Sequence, residues 1–325
     1  MAKIVITDYA FSDIDIESRI FAKSNNTLVA WKEKRPSAEL VELVRDGDAV
    51  ITQFAQVNAE VIAAMDRAKV IVRYGIGVDN VDLIAARERG IPVCNVPDYC
   101  IDEVADHTLA FILSSVRQIV PNTLLLREGK WGIATPLETM HSLSTRTVGV
   151  IGFGRIGRAV VSRLKAFNAR VLVFDPVVLP GEIVKLGAEA VPSFDALLPQ
   201  CDFVTPHCPS TAQTKGMFNA TAFAKMKPGA IFINVGRGDL VDSAALVAAL
   251  QDGKLGGAAL DVFDPEPIPT DNPVRRMKNV ILSSHIASAS PKAVRKLREA
   301  VAEIAVKAIR GEPLTSVVNG VKQKA

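Results

Sequence analysis

The sequence predicts an α/β protein of two doubly wound parallel-sheet domains, one inserted within the other. Strand-like apolar runs alternate with helical patterns along nearly the whole chain. A glycine-rich turn opens a βαβ unit only at Val148, after an entire α/β domain's worth of residues. At 325 residues the chain is also long for one hydrophobic core, which makes two domains the default.

The elements follow in order. Short apolar runs bounded by polar turn residues predict strands over Lys3–Asp8, Thr27–Trp31, Ala49–Thr52, Val70–Arg73 and Pro92–Asn95. Apolar residues at helical spacing predict helices between them, among them Pro36–Arg45, Ala59–Ala68 and Val81–Arg89. One long helical pattern then runs from Ile101 to about Arg127, crossing into the second domain. It carries Leu109, Phe111, Ile112, Val116, Ile119, Leu124 and Leu125, more apolar surface than one crossing helix needs, and this predicts a two-fold homodimer. Further strands are expected over Asp202–Thr205, Ala230–Val235, Gly257–Val262 and Val280–Ser283. A last helix, about Pro291 to Arg310, returns to the first domain. The expected division is residues 1–99 with 290–325 as a flavodoxin-like substrate domain, and 100–289 as a Rossmann nucleotide domain.

The stretch Val148-Gly-Val-Ile-Gly-Phe-Gly-Arg-Ile-Gly157 carries the most chemistry. Val148 to Ile151 make a buried strand, and Gly152, Gly154 and Gly157 have the G-x-G-x-x-G spacing. A helical pattern covers Ala159–Phe167, and a second strand, Val171–Asp175, ends in an acid. Gly152 permits the tight turn, Gly154 lets a pyrophosphate approach the backbone, and Gly157 lets helix and strand pack closely. The helix N-terminus, with Arg155 and Ile156, faces the phosphates. Asp175, 21 residues beyond Gly154, is placed to accept hydrogen bonds from the adenosine ribose hydroxyls. Pro176, Val177 and Val178 follow it without an arginine to hold a 2′-phosphate, so the expected cofactor is NAD rather than NADP.

Composition narrows the partners. A net charge of +3, with cations interspersed among acids, does not point to nucleic acid. The start at Met1-Ala-Lys-Ile leads directly into a strand, and no stretch of ~18 uninterrupted apolar residues offers a membrane span. Cys94, Cys100, Cys201 and Cys208 lack C-x-x-C spacing and read as buried thiols in a reducing cytoplasm. Cys208 lies near the expected cofactor wall, but nothing around it marks a nucleophile.

Three later segments put polar groups at strand ends, where an open parallel sheet lines its ligand crevice. Asn234-Val-Gly-Arg-Gly238 places Arg237 just past a buried strand, with Val235 and Gly236 beside it. Asp261-Val-Phe-Asp-Pro-Glu-Pro267 places Asp261 at a strand terminus and Glu266 in a proline-stiffened loop, and Ser283-Ser-His-Ile-Ala287 places His285 after the next strand. Together with Gly75-Ile-Gly-Val-Asp-Asn80 and Val104-Ala-Asp-His-Thr108, these motifs resemble the D-isomer-specific 2-hydroxyacid dehydrogenase family along nearly the whole chain. That family includes phosphoglycerate, glycerate and formate dehydrogenases and the C-terminal-binding corepressors. The resemblance implies Arg237, Glu266 and His285 as the catalytic set, Asp261 as acceptor for the nicotinamide amide, and Tyr74 to Val78 as the substrate-carboxylate loop. It also implies a homodimer.

The chemistry suits those residue types. Histidine is the side chain most readily poised to deliver a proton near neutral pH. Glu266 would favour its imidazolium form, and Arg237 offers a planar fork for a carboxylate and a charge to polarise a carbonyl. Arginine and imidazolium supply the electrophilic assistance, so no metal is expected. The expected cofactor-binding set is therefore Gly152, Gly154, Arg155, Ile156, Gly157, Asp175, Cys208, Val235, Gly236, Arg237, Asp261 and His285. The expected substrate-binding set is Tyr74, Gly75, Ile76, Gly77, Tyr99 and Arg237, with the N–H groups of Ile76 and Gly77 on the carboxylate. Of the other histidines, His107 reads as a hydrogen-bonded core residue, His141 as a loop residue and His207 as part of the cofactor wall.

Phosphoglycerate-acting members place an arginine after the third strand, where this chain reads Ile51-Thr-Gln-Phe-Ala55. Arg73 is the one basic residue beside the carboxylate loop, and only a short tail follows Arg310. The expected substrate is thus a small unphosphorylated 2-oxo acid such as glyoxylate, hydroxypyruvate or a branched-chain analogue. Two alternatives stay open: an NAD(H)-sensing corepressor-like binding protein, and phosphite oxidation on the same scaffold. The first is supported by Val93-Cys-Asn-Val-Pro97 and Asp175-Pro176, but Ile286-Ala-Ser-Ala-Ser290 lacks the corepressors' tryptophan.

Overall fold

Apolar runs with both faces covered form the strands of two all-parallel sheets in the computed structural model, which describes residues 1–322. The chain divides into two units, Met1–Tyr99 joined by the segment from Ser290 onward, and Cys100–Ala289.

The first unit runs β1 (Lys3–Ile6), α1 (Asp15–Lys23), β2 (Thr27–Ala30), α2 (Ser37–Val44), β3 (Ala49–Thr52), α3 (Ala59–Ala63), β4 (Ile71–Arg73), α4 (Leu83–Glu88) and β5 (Val93–Cys94). Its five strands lie in the order β2-β1-β3-β4-β5. Successive side chains of β1 serve opposite faces, as a period of two requires. Ile4 and Ile6 pack with Phe21, Val72 and Tyr74, while Val5 packs with Leu40, Val61 and Ile71.

The second unit runs α5 (Ile101–Val116), α6 (Ile119–Arg127), β6 (Thr147–Ile151), α7 (Arg155–Ala166), β7 (Arg170–Phe174), α8 (Pro180–Lys185), β8 (Glu189–Ala190), α9 (Phe194–Leu197), β9 (Phe203–Pro206), α10 (Ala220–Lys225), β10 (Ala230–Asn234), α11 (Ser243–Gln251), β11 (Leu255–Leu260) and β12 (Val280–Leu282). Its seven strands lie in the order β12-β11-β10-β9-β6-β7-β8, which reverses direction between β6 and β9. That switch point opens the crevice where such sheets take a dinucleotide. The chain then returns to the first unit as α12 (Pro291–Arg310), which packs Leu297 and Val301 beside Ile4, Val72 and Tyr74.

Three expectations are corrected. The pattern from Ile101 to Arg127 is two helices, α5 and α6, bent by 65°. Pro121 has no N–H for the carbonyl of Arg117 and its ring crowds that turn, so the chain breaks at Gln118, which takes φ of +54°. The break also divides the apolar residues. Leu109, Phe111, Ile112 and Val116 of α5 are buried, whereas α6 buries none of its residues. The second correction is α3, which ends at Ala63 instead of continuing to Ala68, as the Asp66 N–H turns back to the carbonyl of Arg45. Helix α7, conversely, begins four residues earlier than its apolar pattern suggests, directly after Gly154. No single helix among the described residues is long and apolar enough to cross a membrane.

Candidate active site

The turn between β6 and α7 has the geometry of an anion cradle. Gly152 takes φ of +94°, and a Cβ there would lie 2.8 Å from the carbonyl of His207. A Cβ on Gly157 would lie 2.1 Å from the Gly152 oxygen, so only glycine lets α7 pack this close to β6. At Gly154, which precedes the helix, a Cβ would meet nothing within 4 Å. The N-terminus of α7, with Arg155 exposed and Ile156 half-buried, therefore faces open space that suits a pyrophosphate.

Asp175 stands at the end of β7 and is already ordered. Its Oδ2 accepts the Phe153 N–H at 2.6 Å, and its Oδ1 accepts the N–H groups of Val177 and Val178 at 2.8 and 2.9 Å. Burial pushes its carboxyl up, but these three N–H groups and the nearby Arg158 charge outweigh that and hold it below the usual carboxylate range. The turn and the oriented acid fit an adenosine diphosphate.

On the other side of the switch point, β10 ends at Asn234, whose buried side chain clamps the following loop. Its Nδ2 donates to the Arg237 carbonyl at 2.8 Å and its Oδ1 accepts the Gly236 N–H at 3.0 Å. Val235 is buried, and Arg237 is half-buried with Nη1 donating to the Gly236 carbonyl at 2.8 Å. After β11, Glu266 is anchored at both oxygens: Oε1 accepts the Phe263 N–H at 2.9 Å, and Oε2 meets His285 Nδ1 at 2.8 Å. Burial alone would push the Glu266 carboxyl up. The hydrogen bond and charge of His285, the Phe263 N–H and the Arg237 charge together hold it below the usual carboxylate range. An ionised carboxylate only accepts, so His285 carries its proton on Nδ1 and directs Nε2 away from the pair. The three expected catalytic residues are thus gathered on neighbouring strand ends.

Asp261 is placed differently from a simple ligand acceptor. Its side chain is fully buried, and its carboxylate accepts Ser283 Oγ at 2.5 Å and the N–H groups of Ile286 and Ala287 at 2.9 and 2.8 Å. Cys208 is half-buried and burial pushes its thiol up to about 11, which leaves it neutral. Burial likewise takes the His207 imidazole down to about 4, and its Nε2 lies 3.1 Å from Thr205 Oγ1. His141 is shifted down by burial and then by Arg146.

In the first unit, the loop after β4 presents backbone rather than side chain. Tyr74 is 1% exposed, and its hydroxyl donates to the buried Glu17 at 2.9 Å, so its phenol points into the core. Arg298 of α12 holds Glu17 in turn, with Nη2 at 2.7 Å. The carbonyls of Gly75 and Ile76 accept the Val96 N–H and Asn95 Nδ2. The half-buried N–H groups of Ile76 and Gly77 have no partner among the described residues, as a carboxylate acceptor requires. Tyr99 is partly buried against the α12 face of the core. Sequence reasoning missed Asn234, Ser283 and Glu17 as supports of these loops. Only Asn234 carried a local signal, an amide ending a buried strand directly before the loop.

Residues 109–287 match the family described as D-isomer specific 2-hydroxyacid dehydrogenase, NAD binding domain. Over 294 residues the chain is 37% identical to glyoxylate reductase of Korarchaeum cryptofilum, covering 89% of this chain and 88% of that one. It is 38% identical over 304 residues to D-3-phosphoglycerate dehydrogenase of Mycobacterium leprae, covering 93% of this chain but 57% of that longer protein. Among solved structures it resembles D-lactate dehydrogenase from Aquifex aeolicus, crystallised with NAD and lactic acid. That match has a TM-score of 0.84 at 28% identity, over 95% of this chain and 96% of the other. These relatives favour a 2-hydroxyacid dehydrogenase over a nucleotide-sensing binding protein or a phosphite-oxidising enzyme.

Proposed function

The chain belongs to the D-isomer specific 2-hydroxyacid dehydrogenase family, and from that premise we propose that it reduces a small, unphosphorylated 2-oxo acid to the D-2-hydroxy acid. The observation that carries this reading is the 2.8 Å contact between His285 Nδ1 and Glu266, with Arg237 close enough for its charge to act on Glu266. Bound NADH supplies the hydride for the carbonyl carbon. His285 gives the matching proton from Nε2 to the carbonyl oxygen, while Glu266 holds the ring and stabilises the imidazolium beforehand. The Arg237 guanidinium grips the substrate carboxylate and polarises the carbonyl. Asp175 selects NADH over NADPH by accepting from the ribose hydroxyls and repelling a 2′-phosphate. The test is a panel of 2-oxo acids with NADH, read by loss of nicotinamide absorbance. Glyoxylate, hydroxypyruvate and 2-oxoisocaproate are expected to turn over ahead of 3-phosphohydroxypyruvate, and the reverse order would refute the unphosphorylated substrate class.

We also propose a homodimer assembled on the second unit. Ile119, Leu124 and Leu126 of α6, with Trp131, Ile133 and Leu137 beyond it, are all exposed. The same segment borders a cavity of about 570 Å³ lined by Leu124, Leu125, Phe203 and Ile231, among others. An apolar surface of this kind is covered in most assemblies by a second copy.

A further inference from the structure

His285 stands in a backbone conformation that L-residues rarely adopt, with φ of +55°. Asp261 holds its main chain in that turn. The Asp261 carbonyl accepts the His285 N–H at 2.7 Å, while its Oδ1 and Oδ2 accept the next two N–H groups, those of Ile286 and Ala287. Three consecutive amides thus converge on one side chain and its own main chain. Because Asp261 is fully buried, water does not set the rotation of its carboxylate. That leaves Ser283, whose Oγ donates to Oδ1 at 2.5 Å.

Ser283 is itself oriented from outside the loop. His107 Nε2, on α5, lies 3.1 Å from Ser283 Oγ, and the His107 ring packs edge-on against Phe111 with centroids 4.5 Å apart. A serine hydroxyl has one proton, and here the carboxylate takes it. His107 must therefore carry its proton on Nε2 and donate it to the remaining lone pair of Ser283. The chain of donors runs His107 to Ser283 to Asp261, and Asp261 then holds the turn that aims His285.

We propose that Ser283, oriented by His107, is a positioning residue for the proton transfer. Acting through Asp261, it fixes the left-handed turn at His285 and hence the aim of Nε2 and the Nδ1–H to Glu266 bond. The inference rests on the reading of His285 as proton donor. Without the Ser283 hydroxyl, Oδ1 keeps only the Ile286 N–H, and the carboxylate can rotate together with the amides it holds. A backbone rotation of some 10–20° at His285 displaces Nε2 by on the order of 1 Å, beyond the tolerance of a proton-transfer geometry.

The test uses the full chain as Ser283→Ala and Ser283→Thr, with two independent readouts. Ser283→Ala is expected to lower kcat for glyoxylate on the order of 100-fold, with KM and the Kd for NADH within about threefold of wild type. Its proton NMR spectrum should lose or broaden the downfield Nδ1–H signal of His285, which Glu266→Gln identifies and which needs neither substrate nor turnover. Ser283→Thr keeps the hydroxyl and should restore both. The proposal is overturned if Ser283→Ala keeps the downfield signal and kcat within twofold of wild type. It is equally overturned if Ser283→Ala weakens NADH binding and thermal stability while kcat stands, a merely structural role. A wild type that reduces no 2-oxo acid, yet loses the signal in Ser283→Ala, would refute the proposed activity and leave the positioning role standing.

Discussion

Gly238→Ala tests how closely the Arg237 and Glu266 loops must approach each other. Gly238 follows Arg237 and is buried, and a Cβ there would lie 2.0 Å from the carbonyl carbon and oxygen of Phe263 and 2.6 Å from the Asp264 nitrogen. These neighbours are backbone, with no flexible side chain to swing aside. Phe263 is also the residue whose N–H anchors Glu266 Oε1 at 2.9 Å. Reaching an ordinary contact of 3.4 Å means opening the two loops by about 1.4 Å, which draws Arg237 away from the Glu266–His285 pair. A misplacement of about 1 Å costs on the order of 10²-fold in rate, so kcat/KM should fall about 100-fold, or about 2.7 kcal/mol of transition-state stabilisation. The Kd for NADH should change less than kcat/KM, because of the expected cofactor set only Val235 to Arg237 move, while the phosphate turn and Asp175 lie on other strands. Withdrawing the Arg237 charge also lets the Glu266 carboxyl rise towards its ordinary value, so the acid limb of the pH profile should move upward. Steady-state kinetics with glyoxylate across pH, beside fluorescence titration of NADH, measure all three. A kcat/KM within threefold of wild type and an unmoved acid limb would refute the packing argument.

Other perturbations probe the remaining groups. His285→Ala should lower kcat by roughly 10²–10⁴ with NADH affinity retained, and single-turnover kinetics would detect a failure of that expectation. Asp175→Ala should narrow the preference for NADH over NADPH, measured as a ratio of Kd values, while leaving the N–H groups of Phe153, Val177 and Val178 to water. Glu266 is held below its ordinary value of 4.5, so its contribution to stability is complete above that pH and is lost as pH falls through the lowered value. Thermal melts of Glu266→Gln and wild type should therefore converge in acid, and curves that stay parallel as the Glu266 carboxyl protonates would contradict the linkage. Light scattering at micromolar concentration should give twice the chain mass of 34.9 kDa, and a value near one chain would remove the dimer.

The amino-acid sequence by itself determined the features whose causes lie within a few turns of chain. Strand, glycines, helix and acid from Val148 to Asp175 form one contiguous βαβ unit, so steric demands at Gly152 and Gly157 are readable in place. Helix α12 spans Pro291–Arg310 as read because its signals are local: Ser290 caps the Ala293 N–H, Pro291 opens the first turn, and Gly311 ends it with φ of +73°. The break at Gln118 was also local, but the apolar periodicity across it masked the effect of Pro121. Only the tertiary structure decided which polar atoms are left over for a ligand. Tyr74 is withdrawn from the carboxylate loop by Glu17, 57 residues away, and Arg298 reaches that same acid across 281 residues. Ser283 and His107, 176 positions apart, commit a lone pair of Asp261 to the His285 turn. A backbone conformation is chosen by its nearest neighbours, whereas the free lone pairs of a buried acid depend on every donor that folding brings to it.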